Sequence, residues 1–384
     1  MSDVLLVRLD LLGDVAFSLS AARAVKLRWP SARVTMLTLP QTADLAGASE
    51  DVDEVISIDT NLLRSPATLF KRETLRNLAS SIRKLRSRRF DAVVSLYGRT
   101  SSLLALMARA AIRIGYRDEA YPSGLDVRLP DGRFSQAQRR HDTELGLRLV
   151  QALPDYGPGG LPHRGVGTEN VPAPRIRVSR TDEIAGMLRA YGISTTSPLV
   201  VLHAGSGYGE FKRWPVRNFC DLAERVSAFG VSTVVTGAAG DAAVARRIVG
   251  SSSAVSFAGE TSMPQLIALL RRADVVVSGD SGPLHVAAAL GTPVVGIYGP
   301  TDPLVNGPLP WHGQPVAVLR RDIACSPCYS VESRAECPLG HNICMDLVTV
   351  DEVASAVLAI LRGTRKIALA SSVETSGGLE KTSP

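Results

Sequence analysis

The stretch "DVVVSGDSGPLHVAAALGTPVVGIYGPTDP" (Asp274–Pro303) contains an apolar run, a tight turn, a helical segment and a second apolar run. Near-continuous apolar strands separated by helices are typical of a parallel sheet covered on both faces. The same alternation occurs in "VLLVRL" (Val4–Leu9), "ARVTMLTL" (Ala32–Leu39) and "LVVLHAG" (Leu199–Gly205), each followed by a helical pattern. A further helix is expected through Leu103–Ala111. The sequence therefore predicts an α/β fold built on parallel sheets.

The chain length and one interruption of this pattern indicate two domains. At 384 residues the chain is too long for a typical single core. The alternation stops at the Gly- and Pro-rich segment Pro154–Pro174, which is typical of a linker, and then restarts. We predict an N-terminal domain at 1–165 and a C-terminal domain at 166–365. The polar remainder, 366–384, is predicted to be a disordered tail.

Composition and charge limit the classes of protein to which this chain could belong. No segment approaches the roughly 18 apolar residues of a membrane span, and the N-terminus makes a poor secretory signal, so we expect a cytoplasmic protein. The formal net charge is +6, and nine cations lie between Arg64 and Arg89 with Glu73 as the only acid. Such a segment favours an anionic lipid or membrane surface, or is simply a solvated helix face. Nucleic acid is disfavoured because no aromatic side chains interleave with the charges.

The turn "GDSG" (Gly279–Gly282) matches the letters around the nucleophile of some serine proteases. Ser281, however, opens a helix in a parallel sheet, which excludes that interpretation. Asp280 or Ser281 could cap this helix, and Pro283 suits its first turn. Helix N-terminal amides also bind anions, so Gly279, Gly282 and His285 together predict a phosphate site, with a plain cap as the alternative.

Two other turns follow strands in the same way. "HAGSGYGEFKRWP" (His203–Pro215) combines glycines with Lys212, and Glu210 occupies the position of the third glycine of a dinucleotide fingerprint. This loop suits a pyrophosphate, unless Lys212 is only a surface charge. Asp14 follows the first strand and either caps the next helix or faces the phosphate site across a cleft, where a carboxylate could act as general base.

Together, "VRLDLLGDV" (Val7–Val15), "HAGSGYGEFKRWP" and "SGDSGPLHVAAALGTPVVGIYGPTDP" (Ser278–Pro303) resemble the ADP-heptose:lipopolysaccharide heptosyltransferases, glycosyltransferase family 9. The resemblance covers about residues 3–362. It implies a GT-B fold, in which two Rossmann-like domains face each other across the active site. It also implies inverting, metal-independent transfer of a sugar from a nucleotide donor.

Carried over by position, the resemblance implies Asp14 as the catalytic base and Lys212 as the group that neutralises the donor diphosphate. The other donor-binding residues would be Gly205, Asp241 (near the ribose), Asp280, Ser281, Gly282 and His285. The acceptor is expected on the N-terminal domain, at Asp10, Gly13 and Arg64. Two positions depart from the family pattern: Ser281 stands where Thr is usual, and Asp10 where Ser is common.

Four of the five cysteines lie close together, at Cys325, Cys328, Cys337 and Cys344, with His341 among them. A CxxC pair followed by Cys and His resembles a structural zinc site, but the second CxxC of a zinc ribbon is missing. We expect no metal in the transfer chemistry. The four cysteines are expected to be free or redox-labile thiols, with a structural zinc site as the alternative. Cys220 is expected in the core.

The leading hypothesis is a cytoplasmic GT-B glycosyltransferase that is peripheral on the inner membrane surface. It would need no cofactor, would take a nucleotide-sugar donor, with ADP-heptose as the best candidate, and would act on a lipopolysaccharide-type or other anionic glycolipid. Two alternatives remain at this point: a GT-B nucleotide-sugar epimerase, and a non-catalytic nucleotide-sugar binding protein.

Overall fold

The computed structural model describes residues 1–59, 72–119, 124–130, 132, 139–154, 171–207, 210–329, 337 and 339–364. Within these ranges the N-terminal half of the chain forms a six-stranded parallel sheet with the order β3-β2-β1-β4-β5-β6. Its strands are β1 (Asp3–Val7), β2 (Arg33–Thr38), β3 (Glu54–Ser57), β4 (Arg89–Ser95), β5 (Arg109–Tyr116) and β6 (Val127–Leu129).

The C-terminal half forms a second six-stranded parallel sheet within the described ranges, with the order β12-β11-β10-β7-β8-β9. Its strands are β7 (Leu199–His203), β8 (Ser232–Thr236), β9 (Val255–Ser256), β10 (Val275–Gly279), β11 (Val294–Tyr298) and β12 (Val316–Arg320). The predicted α/β fold with parallel sheets is therefore confirmed.

Helices connect the strands and cover the sheets. In the N-terminal half they are α1 (Leu12–Arg28), α2 (Ala43–Ala48), α3 (Arg72–Arg86), α4 (Arg99–Met107) and α5 (Asp142–Gln151). In the C-terminal half they are α6 (Thr181–Ala190), α7 (Val216–Ser227), α8 (Ala242–Gly250), α9 (Met263–Arg272), α10 (Gly282–Ala289), α11 (Pro303–Asn306), α12 (Ile343–Asp346) and α13 (Val350–Gly363). None of the described helices is long and apolar enough to cross a membrane.

The two halves pack against each other through α1 and α10. The sequence of α10, "GPLHVAAA", is apolar almost all round, and a helix of this kind requires burial on every face. One apolar cluster contains Val15 and Leu19 of α1 together with Leu284 and Ala287 of α10. This contact brings the N-terminal ends of the two helices, and the turns that precede them, to the same place.

The prediction of a helix through Leu103–Ala111 is wrong for its last residues. Helix α4 ends at Met107, and Arg109 begins strand β5, which pairs in parallel register with β4. Apolar residues at every second position, Ala110, Ile112 and Ile114, give the period-two pattern of a strand. The short apolar run before them hid the boundary between helix α4 and strand β5 in the sequence. Most of the predicted linker (155–170) and the whole predicted tail (366–384) lie outside the described residues, so the domain limits stay a prediction.

Candidate active site

A cleft of about 380 Å³ opens between the carboxyl ends of the two sheets and is lined by residues of both halves. Ligands bind at this edge of open α/β sheets. All but one of the site residues expected from the sequence line it: Asp10, Gly13, Asp14, Gly205, Lys212, Asp241, Asp280, Ser281, Gly282 and His285. The exception, Arg64, lies outside the described residues.

The C-terminal wall of the cleft is built around a chain of three charged or polar side chains: Lys212, Asp280 and His285. Nζ of Lys212 lies 2.8 Å from Oδ2 of Asp280, and Nε2 of His285 lies 3.0 Å from Oδ1 of the same carboxylate. Burial of Asp280 works against its ionisation. The charge of Lys212 and the hydrogen bond with His285 outweigh burial, so the pKa of Asp280 lies well below its ordinary value.

The N-terminus of α10 opens onto this wall. Ser281 is the residue before the helix, but its side chain makes no capping hydrogen bond; its Oγ lies 2.7 Å from Oγ of Ser278. Asp280, the other candidate cap, is bound to Lys212 and His285 instead. The plain-cap interpretation of this turn therefore loses its structural basis. The helix end retains the positive electrostatic character of unsatisfied N-terminal amides.

The acidic residues of the N-terminal wall are paired with Arg8, which follows β1, is only 2% exposed and does not itself line the cleft. Its Nη2 lies 3.0 Å from Oδ1 of Asp14, and its Nε lies 3.0 Å from Oδ2 of Asp10. The other oxygen of Asp14 accepts a hydrogen bond of 3.2 Å from the backbone N–H of Leu11. Asp14 therefore bonds to the helix end, as a capping residue would, and also faces the cleft.

Two glycines allow the walls to approach closely. A Cβ at Gly282 would lie 2.7 Å from Cβ of Leu12 and 3.2 Å from the backbone nitrogen of Gly13. A Cβ at Gly13 would lie 2.7 Å from Cδ2 of His285. Real Cβ atoms essentially never lie 2.7 Å from another heavy atom, so any larger residue at Gly13 or Gly282 would clash with the opposite wall. The approach also places Asp14 and His285 at opposite sides of one narrow cleft.

The predicted ribose residue, Asp241, lies beside the glycine loop. Its Oδ1 is 2.8 Å from Nη2 of Arg213, and its Oδ2 accepts a hydrogen bond of 3.0 Å from the N–H of Ala238. Gly205 packs against this carboxylate, since a Cβ there would lie 2.7 Å from Oδ2. The carboxylate is thus held rigidly at the cleft edge.

Sequence reasoning missed His203, which also lines the cleft. Its Nδ1 lies 3.1 Å from Oγ1 of Thr236. Burial lowers the pKa of His203 to about 4, with Asp241 opposing and Arg213 adding to the shift. The imidazole is therefore neutral at pH 7. The sequence feature that could have identified His203 is its position at the end of the apolar run "LVVLHAG", where β7 ends.

Tyr329 was missed as well. Its ring centroid lies 4.7 Å from Nζ of Lys212, and the ring stacks on Phe211 at 6.3 Å. The backbone N–H groups of Cys328 and Tyr329 both donate to the carbonyl of Pro300, which brings the cysteine segment against the C-terminal wall. No local pattern predicts this contact.

The four clustered cysteines were considered above as a possible zinc site. The part of the chain that the structure describes contains no group of three or more His, Cys, Asp or Glu side chains placed to hold a metal. The cysteines Cys325, Cys328 and Cys337 are partly buried, and Cys344 is buried. Burial, followed by the neighbouring thiols, raises the pKa of Cys344 to about 11, so this thiol is protonated at pH 7. Cys220, expected in the core, packs at its edge and is only partly buried.

The basic segment is only partly available to a partner. On α3 and the following residues, Arg76, Arg83, Lys84 and Arg86 are exposed. Arg88 is not part of this surface, because it forms ion pairs with Asp3 and Glu54. The residues from 60 to 71 lie outside the described ranges.

Comparisons with known proteins agree with this geometry. The family model described as glycosyltransferase family 9 (heptosyltransferase) matches residues 78–338, more than half of the chain. Lipopolysaccharide heptosyltransferase 2 of Salmonella typhimurium is 27% identical over 314 residues, which cover 80% of this chain and 85% of the relative.

Two solved structures share the fold. The E. coli ADP-heptose lps heptosyltransferase II is 23% identical, with a TM-score of 0.71 over 95% of this chain and 100% of that one. The E. coli heptosyltransferase WaaC with ADP is 18% identical, with a TM-score of 0.69 over 93% and 99% of the two chains. The expected GT-B arrangement of two facing parallel-sheet domains is confirmed.

Proposed function

The chain belongs to glycosyltransferase family 9, and from this premise we propose that it transfers a heptose from ADP-heptose to a lipopolysaccharide-type or other anionic glycolipid, with inversion and without a metal. The names of its relatives support the heptose and the lipopolysaccharide acceptor. The observation that carries the proposal is that Asp14 and the Lys212–Asp280–His285 chain line a single cleft from opposite walls.

The donor is proposed to lie on the C-terminal wall. Lys212 and the N-terminal amides of α10 would bind the diphosphate, since both carry positive charge towards the cleft. Because Asp280 is already paired with Lys212 and His285, it would not present an uncompensated negative charge to the diphosphate. Asp241, whose carboxylate packs against Gly205, is proposed to bind the ribose.

The reaction is proposed to proceed in one displacement. The acceptor hydroxyl oxygen would attack the anomeric carbon while the bond from that carbon to the diphosphate oxygen breaks, which inverts the configuration. The hydroxyl proton would pass to the carboxylate of Asp14, acting as general base. Lys212 and the helix amides would stabilise the charge developing on the departing ADP, as preorganised dipoles do in other transferases and hydrolases.

The acceptor is proposed to dock on the N-terminal half, near Asp10 and Gly13. The exposed cations of α3 (Arg76, Arg83, Lys84 and Arg86) supply the charge that a phosphorylated glycolipid or the cytoplasmic face of the membrane would require. Arg64 is proposed to contribute to the same surface. The enzyme would then be peripheral at that membrane.

Thermal shift with ADP-, UDP-, GDP- and dTDP-sugars, followed by product analysis, tests this proposal. A ligand that binds the native state raises the melting temperature, so ADP-heptose should give the largest shift. Heptose should then appear on a lipid acceptor in the presence of EDTA. Isomerised sugar on the nucleotide without acceptor would favour an epimerase, and binding without turnover would favour a non-catalytic protein; either result contradicts the proposal.

A further inference from the structure

Arg8 is a buried cation, and the burial of its charge requires a structural explanation. It lies at the end of β1 and is 2% exposed, whereas arginine is rarely buried unless it is paired. Three carboxylates surround it: Asp10, Asp14 and Asp142. Burial works against the charged guanidinium, but Asp142, followed by Asp10 and Asp14, outweighs it and raises the pKa of Arg8.

The strongest contact of Arg8 is with Asp142 at the beginning of α5. Nη2 lies 2.7 Å from Oδ2 of Asp142, and Nη1 lies 3.3 Å from Oδ1. The side chain of Asp142 is 1% exposed and does not line the cleft. Two contacts to one carboxylate fix the plane of a guanidinium, and the ring of Tyr97, 4.9 Å from its central carbon, covers one face.

The fixed guanidinium then reaches Asp14. Nη2 of Arg8, already bound to Asp142, also donates to Oδ1 of Asp14 at 3.0 Å. The second oxygen of Asp14 is held by the N–H of Leu11. Both oxygens are thus held in one orientation, and the carboxylate lines the cleft.

We propose that Arg8 is a positioning residue that, anchored by Asp142, holds the carboxylate of Asp14 in the orientation needed to accept the acceptor's proton. This inference rests on the proposed function, because it requires Asp14 to be the base. The residue that precedes the anchor, His141, is also held in place, because its Nε2 donates to the carbonyl of Gly307 in the C-terminal half at 2.9 Å. The orientation of the base therefore depends on two side chains, Arg8 and Asp142, that do not line the cleft.

Arg8→Lys and Asp142→Asn test the proposal. Lysine keeps the charge but cannot hold two carboxylates in a fixed plane, and a displacement of about 1 Å costs on the order of 100-fold in rate. We expect kcat to fall by about that factor in both variants, while the dissociation constant for ADP stays within about threefold. The matched control is Arg175→Lys, which alters an ion pair of 2.7 Å with the buried Asp51; neither residue lines the cleft.

Chemical rescue separates positioning from folding. Arg8→Ala leaves room for a free guanidinium ion, so millimolar guanidinium chloride should restore part of kcat, whereas equal sodium chloride should not. If Arg8→Ala does not fold, Arg8→Lys carries the test alone. Wild-type kcat in Arg8→Lys, together with an inactive Asp14→Asn variant, would overturn the positioning role only. An active Asp14→Asn variant would instead overturn the proposed function.

Discussion

Nζ of Lys212 lies 2.8 Å from Oδ2 of Asp280, across the junction between the glycine loop and the end of β10. Both side chains are largely buried, with 12% and 8% exposure. A buried carboxylate of this kind is strongly destabilising once its partner is removed. The pair therefore has a structural role in the free protein and a proposed electrostatic role once a diphosphate binds.

Lys212→Met should weaken both roles. We expect the free energy of unfolding to fall by about 3 kcal/mol, because among the described residues Asp280 then keeps only His285 as an ion-pair partner. Turnover should fall by about 100-fold or more, because the departing diphosphate loses a cation. Thermal denaturation and steady-state kinetics measure the two effects. Lys212→Arg should retain more of both, and a fully active Lys212→Met variant would contradict the assignment.

Gly282→Ala should force the two walls apart. Its new Cβ would lie 2.7 Å from Cβ of Leu12, and neither atom belongs to a flexible side-chain end. We expect a loss of about 1–3 kcal/mol in stability, the usual cost of overpacking, together with reduced turnover. Gly363→Ala is the matched helical control, since a Cβ there meets nothing within 4 Å. Equal melting temperatures and rates in the two variants would show that the close approach is not needed.

Tyr329→Ala should weaken donor binding. The ring lines the cleft and lies over the ammonium of Lys212, so its removal should free the cation that is proposed to bind the diphosphate. Contacts of this kind are worth about 0.5–2 kcal/mol. Calorimetric titration with ADP should show a dissociation constant raised by roughly 2- to 30-fold, and Tyr329→Phe, which keeps the ring, should bind almost as the wild type does. Equal affinities for the Ala variant and the wild type would remove Tyr329 from the site.

His203 should make the protein sensitive to mild acid. Its pKa in the fold is about 4, below the ordinary value of about 6.5, so the unfolded chain takes up the proton first as pH falls. Stability contributed by the neutral ring is therefore present above about pH 6.5 and is lost towards pH 4. The loss should be on the order of 2 kcal/mol, reduced by the partial exposure of the ring.

Chemical denaturation of the wild type and of His203→Gln between pH 7 and pH 4.5 checks this prediction. The variant should lose less stability over that interval. His141, whose pKa is also lowered by burial, acts in the same direction in both proteins and cancels in the comparison. His341→Gln, at an exposed histidine, is the control and should follow the wild type. Parallel curves for the wild type and His203→Gln would contradict the lowered pKa of His203.

The fold and the cleft were predictable because their signals are local. The predicted turns that line the cleft come shortly after apolar strands: Asp280 follows β10, and Gly205 lies two positions beyond β7. Parallel strands end at one edge of a sheet, which brings these turns together. The strand beginning at Arg109 was not predicted, because a short apolar run of alanines fits a helix and a strand equally well.

The residues that sequence reasoning missed depend on contacts between distant parts of the chain. Arg8 and Asp142 are 134 positions apart, and no sequence pattern near either residue predicts their contact. Tyr329 reaches Lys212 only because the segment after Cys328 is held at the carbonyl of Pro300. Arg8 did carry one weak signal, since a charged residue directly follows a buried apolar strand in "VLLVRL".

The most direct measurement of the central claim compares donor binding and turnover in Asp14→Asn. The asparagine keeps the size of the side chain but cannot take up the proton of the attacking hydroxyl. We predict that ADP-heptose binds within about threefold of its wild-type affinity while kcat falls by at least about 100-fold. Wild-type turnover in a folded Asp14→Asn protein would contradict the account.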